Sequence, residues 1–146
     1  MKRKKLIPLS RLRKKAWTLF SIWVRTSRAD FSGYTRCYTC DRILHWKEAQ
    51  AGHFIHGSYD FDPFNVHAQC ASCNKWGHGK PLEYYIHLVK DYGTVKADEL
   101  RSRAHWNNYN RKDLEVIVKK YDPTNTKTYP RMVRDVRKAG DRKDQD

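Results

Sequence analysis

The sequence predicts an α+β fold: a small zinc-stabilised core with a β-hairpin, flanked by helices and mainly α elsewhere. Three observations lead there. Two Cys-x-x-Cys pairs, Cys37/Cys40 and Cys70/Cys73, frame the middle of a 146-residue chain. Between them, residues 42–46 alternate weakly and residues 50–56 (QAGHFIH) form a second strand-like run. On either side of the frame, apolar residues recur at helical spacing.

The cysteines carry the strongest of these signals. A Cys-x-x-Cys turn holds two thiolates about one tetrahedral edge apart, and two such turns close a four-sulfur site for structural Zn2+. Such a site supplies folding energy that a small core lacks. The same four residues could instead form two disulfides or remain free thiols. The spacing is that of zinc knuckles, however, and nothing in the sequence points to secretion.

A formal charge of +14 on a chain of this length attracts polyanions, of which nucleic acid is the commonest. A membrane surface is the rival partner. No apolar run reaches the ~20 residues needed to span a bilayer, and the basic N-terminus lacks the apolar centre of a signal peptide. A reducing cytoplasm is therefore the expected compartment. Length and hydrophobicity fit one domain with tails: a basic arm over 1–9, a single domain over 10–122 with its core at 37–93, and a basic polar tail over 123–146. Nine tyrosines and five tryptophans provide aromatic surface for a small core or for stacking on bases.

Taken in order, Lys2, Arg3, Lys4 and Lys5 open the arm, and Arg11, Arg13, Lys14 and Lys15 extend the basic run. These residues form a solvated flexible arm or a specific DNA arm, and either would bind phosphate non-specifically. A helix starts near Ser10, its N-cap, with Leu12, Ala16, Trp17, Leu19, Phe20, Trp23 and Val24 on a packing face. Asp30 to Tyr34 is a turn into the first cysteine pair, and Gly57 to Pro63 is a loop. A short helix begins at the second pair and breaks at Gly77 to Gly79. Pro81 opens a helix to Tyr92, stopped by Gly93, with Leu82, Tyr85, Ile86, Leu88 and Val89 buried. Two further helices span Thr94–Trp106 and Lys112–Tyr121. Asn110 caps the second of these, and Leu114, Val116, Ile117 and Tyr121 pack it. A helical segment is expected again around Met132 to Lys138.

Between the cysteine pairs lie the residues that suit phosphodiester hydrolysis. That reaction needs a base for water, a cation for the developing charge, and an in-line backbone. His53 follows Gly52, which permits close approach of backbone or substrate. Asn65 can clamp two loop segments or orient the imidazole, and Asn74, directly after Cys73, can point an oxygen at the same place. Each residue also has a plain structural reading: His53 as a buried histidine, Asn65 as a turn residue, Asn74 as a helix cap. His67 is read as a buried hydrogen-bonding residue or as a zinc ligand that competes with a cysteine.

The joint pattern is similar to that of the HNH-type nucleases. Within it, AGHF…FNVHAQCASCN…G…EYY…LVKDYG, from about Cys37 to Gly93, resembles the NinG/Rap family of bacteriophage recombination proteins. The recombination endonuclease VII family shares the four-cysteine frame, the His between the pairs and the Asn after the last Cys. This resemblance implies a treble-clef ββα-metal core and cleavage of branched DNA such as Holliday junctions and D-loops. It also implies that His53 is the general base, Asn65 the residue that holds the loop, and Asn74 a ligand of catalytic Mg2+ or Mn2+.

One position departs from the pattern. HNH and endonuclease VII motifs place Asp immediately before the base, where this chain has Gly52; NinG-like sequences carry the same Gly, often with an Asp two residues further upstream, where this chain has Gln50. Glu83, Glu48, Asp60 and Asp62 are the candidates to replace that carboxylate, and Glu83 is preferred because a helix positions it more rigidly. The reading from another class is a zinc-dependent protein that binds branched or single-stranded DNA without cutting it. A third is an RNA-binding or ribosome-associated zinc protein. Symmetric resolution of a junction needs two active sites, so a homodimer is expected, with host recombination proteins as further partners.

Overall fold

A face of four residues repeating at helical spacing sets the position of everything else. The computed structural model describes residues 6–57, 59–102 and 108–129. In α1 (Leu9–Thr26), Leu12, Ala16, Phe20 and Val24 recur every fourth position and all are buried. Against them α4 (Arg111–Lys120) lays Leu114, followed by Tyr121, while Phe61 and Val66 fill the middle. Burying a side chain of Leu or Phe size contributes roughly 1.5–3 kcal/mol, so packing and not capping holds α1. Ser10 does not cap it. Pro8 precedes the helix in extended backbone (φ −55°, ψ 145°), Leu9 begins it, and no side chain caps the end, because the proline ring already sets the entry φ.

The chain then makes two hairpins where the sequence predicted one. β1 (Tyr34–Arg36) pairs antiparallel with β2 (Ile43–His45), Tyr34 opposite His45. β3 (Gln50–His53) pairs antiparallel with β4 (Val66–Gln69), with Gly52 opposite His67 and His53 opposite Val66. The first cysteine pair sits in the β1–β2 turn, where Asp41 takes a left-handed conformation (φ 60°). The Tyr38 N–H donates to Ala68 O at 2.8 Å and ties one hairpin to the other. Strands this short have little periodicity to read, which is why β1 and β4 carried no strand signal.

After β4 the second cysteine pair enters a wide helical turn, Ser72–Trp76, closed by Gly77 N–H to Ser72 O at 2.7 Å. His78 and Lys80 adopt positive φ (54° and 50°) and redirect the chain into α2 (Pro81–Tyr92), with Pro81 in the first turn. The buried stripe of α2 is Tyr84 and Leu88. This corrects the predicted face, since Leu82 and Ile86 are 68% and 54% exposed. The stripe packs on Tyr38, Phe54 and Tyr59, and on Ala97 and Leu100 of α3 (Thr94–Ser102). Trp106, the expected end of that helix, lies outside the described residues.

Asn110 caps α4 with a reciprocal pair of bonds: its Oδ1 accepts from Asp113 N at 3.1 Å and its N–H donates to Asp113 Oδ2 at 2.9 Å. Ile117 is half-buried, but Val116 is 59% exposed and takes no part in the packing predicted for it. The chain beyond residue 122 continues to pack. Tyr129 is fully buried, with its hydroxyl 3.3 Å from Leu19 O, and Trp23 Nε1 donates to Thr128 O at 3.2 Å. The helical segment expected at Met132 to Lys138 lies outside the described residues. Among those described, no helix is long and apolar enough to cross a membrane.

Candidate metal centre and histidine pocket

The sulfur atoms of Cys37, Cys40, Cys70 and Cys73 all lie within 4.8 Å of one another, and Cys40 and Cys70 are 3.8 Å apart. Tetrahedral zinc with Zn–S bonds of about 2.3 Å spaces its sulfurs about 3.8 Å apart. All four cysteines are free thiols, three of them buried. Burial alone would raise the Cys37 thiol, but the Thr39 hydroxyl and the backbone N–H groups of Cys70, Thr39 and Cys40 bring it down to about 6. Burial and the neighbouring sulfurs push Cys40 up to about 12, and burial also raises Cys73. One thiolate forms readily and its neighbours resist, so a cation is needed for the set to ionise together. The four cysteines are positioned to hold a metal ion, and an all-sulfur donor set suits structural zinc.

Around this centre the hydrogen bonds reach toward β3. Gln69 Nε2 donates to Thr39 Oγ1 and to Gly79 O, both at 3.0 Å. A carbonyl can only accept, so the Gln69 amide has one orientation, and its Oε1 is left buried without a partner. That oxygen presses on Gly52. A Cβ at Gly52 would lie 1.9 Å from Gln69 Oε1 and 2.9 Å from Asn74 Oδ1. Position 52 therefore admits only glycine, because two amides already fill the space that a side chain would take. Asn74 Nδ2 donates in turn to Gln50 Oε1 at 2.8 Å.

Strand alternation separates the predicted site residues. Gln50 and Gly52 face the second cysteine turn and Asn74. Ala51 and His53 face α1, where Ala51 joins the α1–α4 core and the His53 ring stacks on Trp17 (centroids 5.1 Å, 13° between planes). His53 ends β3, with its side chain 15% exposed. Its Nε2 is buried without a hydrogen bond, and the nearest charge is Asp60 Oδ1 at 3.6 Å. Asp60 Oδ2 lies 2.6 Å from Arg13, whose guanidinium sits 5.6 Å and 5.7 Å from the ring centroids of Phe61 and Tyr109. Burial lowers the His53 pKa below the ordinary imidazole value; Asp60 opposes this and His56 adds to it. At neutral pH the ring is uncharged and able to accept a proton.

Asn65 holds the loop that carries this pocket. It is fully buried. Its Oδ1 accepts from Ile55 N at 2.9 Å, and its Nδ2 donates to Ile55 O at 2.9 Å and Tyr59 O at 3.0 Å. His67 bonds to the hydroxyls of Tyr84 and Tyr92 at 3.0 and 3.1 Å and stacks on Tyr38 at 3.8 Å. Both its nitrogens are thus engaged away from the sulfurs. Burial, helped by Arg28, holds His67 down to about 3, so it stays neutral. Tyr84 donates onward to Gly52 O at 2.8 Å, which fixes the backbone next to His53.

The carboxylates are dispersed. Glu83 is exposed in the first turn of α2, Glu48 accepts from His45 N at 3.4 Å, and Asp62 accepts from Phe64 N at 2.8 Å. Among the described residues, the cysteine quartet is the one cluster of three or more His, Cys, Asp and Glu able to hold a metal. A hard divalent ion is usually held through one or two carboxylates, whereas the atoms nearest the Gly52 cradle belong to the amides of Gln69 and Asn74. That donor set does not fit resident Mg2+ or Mn2+. Of the basic residues, Lys2, Arg3, Lys4 and Lys5 lie outside the described residues, while Arg11, Lys14 and Lys15 are exposed on α1. Arg13 is committed to Asp60. Nothing but its place before Cys70 marks Gln69 in the sequence, and Trp17 registers there only as part of a packing face.

No curated protein and no solved structure matches this chain. The family described as "NinG: Bacteriophage Lambda NinG protein" matches residues 1–130, which take in α1, both hairpins, the cysteine centre, the histidine pocket and α4. The chain belongs to the bacteriophage lambda NinG family.

Proposed function

We propose that this protein is a structure-specific DNA endonuclease that cleaves branched recombination intermediates, Holliday junctions and D-loops, in phage recombination. The observation that carries the reading is His53: an uncharged imidazole at the end of β3, stacked on Trp17 and facing Asp60, in a chain of charge +14. Family membership supports it. In this reading the zinc-held knuckles and the β3–β4 hairpin form a treble-clef ββα core, and zinc supplies rigidity. His53 takes the proton from the attacking water, and the imidazolium so formed lies beside the Asp60 carboxylate. Asn65 keeps the loop in place during this step. The exposed Arg11, Lys14 and Lys15 on α1 hold backbone phosphates, together with the basic arm. Symmetric resolution of a junction would use two copies, with host recombination proteins as partners in the cytoplasm.

One observation favours a second reading, a binder of branched or single-stranded DNA that does not cut. It is the filling of the Gly52 position by amides in place of an acid. Labelled Holliday junction, linear duplex and single strand, each incubated with Mg2+, Mn2+ or EDTA, separate the two. His53→Ala, zinc-loaded and folded, is expected to cut about 10²–10⁴-fold more slowly with junction affinity near wild type. The wild-type rate should rise with pH along an acid limb set below about 6.5, the reference imidazole value, because burial lowers the His53 pKa. Wild-type cutting by folded His53→Ala removes His53 from the mechanism. Tight junction binding with no cleavage under any metal decides for the binder.

A further inference from the structure

His53 is enclosed by groups from two parts of the chain. Its Nε2 is shielded from solvent and faces Asp60 Oδ1 at 3.6 Å, a charge contact just beyond hydrogen-bond reach. The other oxygen of Asp60 is held at 2.6 Å by Arg13. Arg13 is itself seated among the rings of Phe61 and Tyr109. Trp17, one helical turn beyond Arg13 on α1, stacks on the imidazole and fixes its plane. α1 therefore grips both the ring and the carboxylate that faces it. The charged or titratable groups facing His53 are Asp60 and His56 from the segment after β3, and Arg13 from α1 by way of Asp60.

We propose that Asp60, oriented by its ion pair with Arg13, is the positioning residue that keeps the proton of His53 on Nε2 and so leaves Nδ1 as the proton acceptor. The inference rests on the endonuclease reading for its consequence, but not for its test. In an imidazole, the partner of one nitrogen decides which nitrogen carries the proton. A carboxylate accepts only, so it selects an N–H at the atom it faces. Arg13, placed with the DNA-binding residues on sequence grounds, acts here through Asp60. By drawing part of the carboxylate's charge, it also limits how strongly Asp60 favours the protonated ring.

The test is ¹⁵N and ¹H NMR of the His53 ring in the full zinc-loaded chain, its signals identified by their loss in His53→Gln. The wild type should show the Nε2–H tautomer at neutral pH. Asp60→Asn should lower the His53 pKa by about half a unit to one unit, and Arg13→Gln should raise it by a similar amount, since the freed carboxylate favours the cation. Arg13→Lys should stay close to wild type. In the Asp60→Asn background, Arg13→Gln should lose its upward effect. The acid limb of the cleavage profile should move with each pKa. Unchanged ring signals, the Nδ1–H tautomer in the wild type, or shifts of the same sign in both single variants overturn the proposal. Should Asp60→Asn fail to fold, Arg13→Gln decides alone, because its upward shift requires the intact carboxylate. NMR shifts as expected in a protein that cuts nothing would sink the endonuclease reading and leave the coupling of Asp60 to His53 standing.

Discussion

The cysteine centre and the histidine pocket both adjoin the β3–β4 hairpin yet are built by different means. The centre is assembled from two tight turns, and its ligands are in register because each pair spans only four residues of chain. The pocket is assembled from afar: Asp60 reaches Arg13 across 47 positions, and Trp17 comes from a helix that precedes the first cysteine. One is placed to be held by a metal ion, and the other is held by ring stacking and the packing of α1 on α4. A defect in the first should therefore spread outward, whereas a defect in the second should stay local.

Cys70→Ser is expected to have the largest effect. Structural zinc in small domains contributes about 10–16 kcal/mol of binding free energy that is also folding free energy. The variant should lose zinc by elemental analysis and lose ordered structure between 37 and 93 by hydrogen exchange; a folded, zinc-free variant would erase the distinction between the two regions. Next comes Asn65→Ala, which removes the side-chain bonds to Ile55 N–H, Ile55 O and Tyr59 O, of which Tyr59 O keeps the N–H of Asp62. A loss of about 3 kcal/mol or more in urea unfolding is expected, with the native variant keeping full zinc. Zinc loss from that variant would show the regions to be one unit.

Gly52→Ala should cost about 1–3 kcal/mol, since the new methyl meets the end of the Gln69 side chain, which burial and its bonds to Thr39 and Gly79 hold in place. Because Gln69 bonds to Thr39, this is the substitution through which strain in β3 should reach the sulfurs, read as faster zinc release to a chelator. The smallest change in stability is expected from replacing Arg11, Lys14 and Lys15 by Gln, within about 0.5 kcal/mol. Their removal should still flatten the dependence of log DNA affinity on log salt by up to about 3 units. An unchanged slope would mean that α1 serves the pocket only from its inner face.

The sequence made the cysteine centre legible because spacing alone defines a knuckle, and it marked His53, Asn65 and Asn74 as the residues to watch. It did not reveal that the His53 side chain and Asn74 lie on opposite faces of β3, since a strand of four residues shows no alternation to read. The buried stripe of α2 was misplaced for a related reason. Hydropathy favours Leu82 and Ile86 over Tyr84, but Tyr84 has Gly52 O and His67 to satisfy its hydroxyl and so can be buried completely. Asp60 could be named from the sequence only as one acid among four. What singles it out is Arg13, and no local pattern links residues that far apart.

The packing of α1 against α4 also orders events during synthesis. Once residue 73 has left the ribosome, all four sulfurs are present and the knuckles can close on their metal. At that moment α1 has been made but its partner has not, and Phe20 has no Tyr121 to meet at 5.0 Å. Trp17, and with it one wall around His53, is anchored only after α4 emerges and Tyr129 docks on α1. Contacts so distant in sequence form late because closing a long loop is entropically costly. A nascent or truncated chain ending before α4 would therefore have its four sulfurs and the histidine in hand but lack a finished pocket around His53.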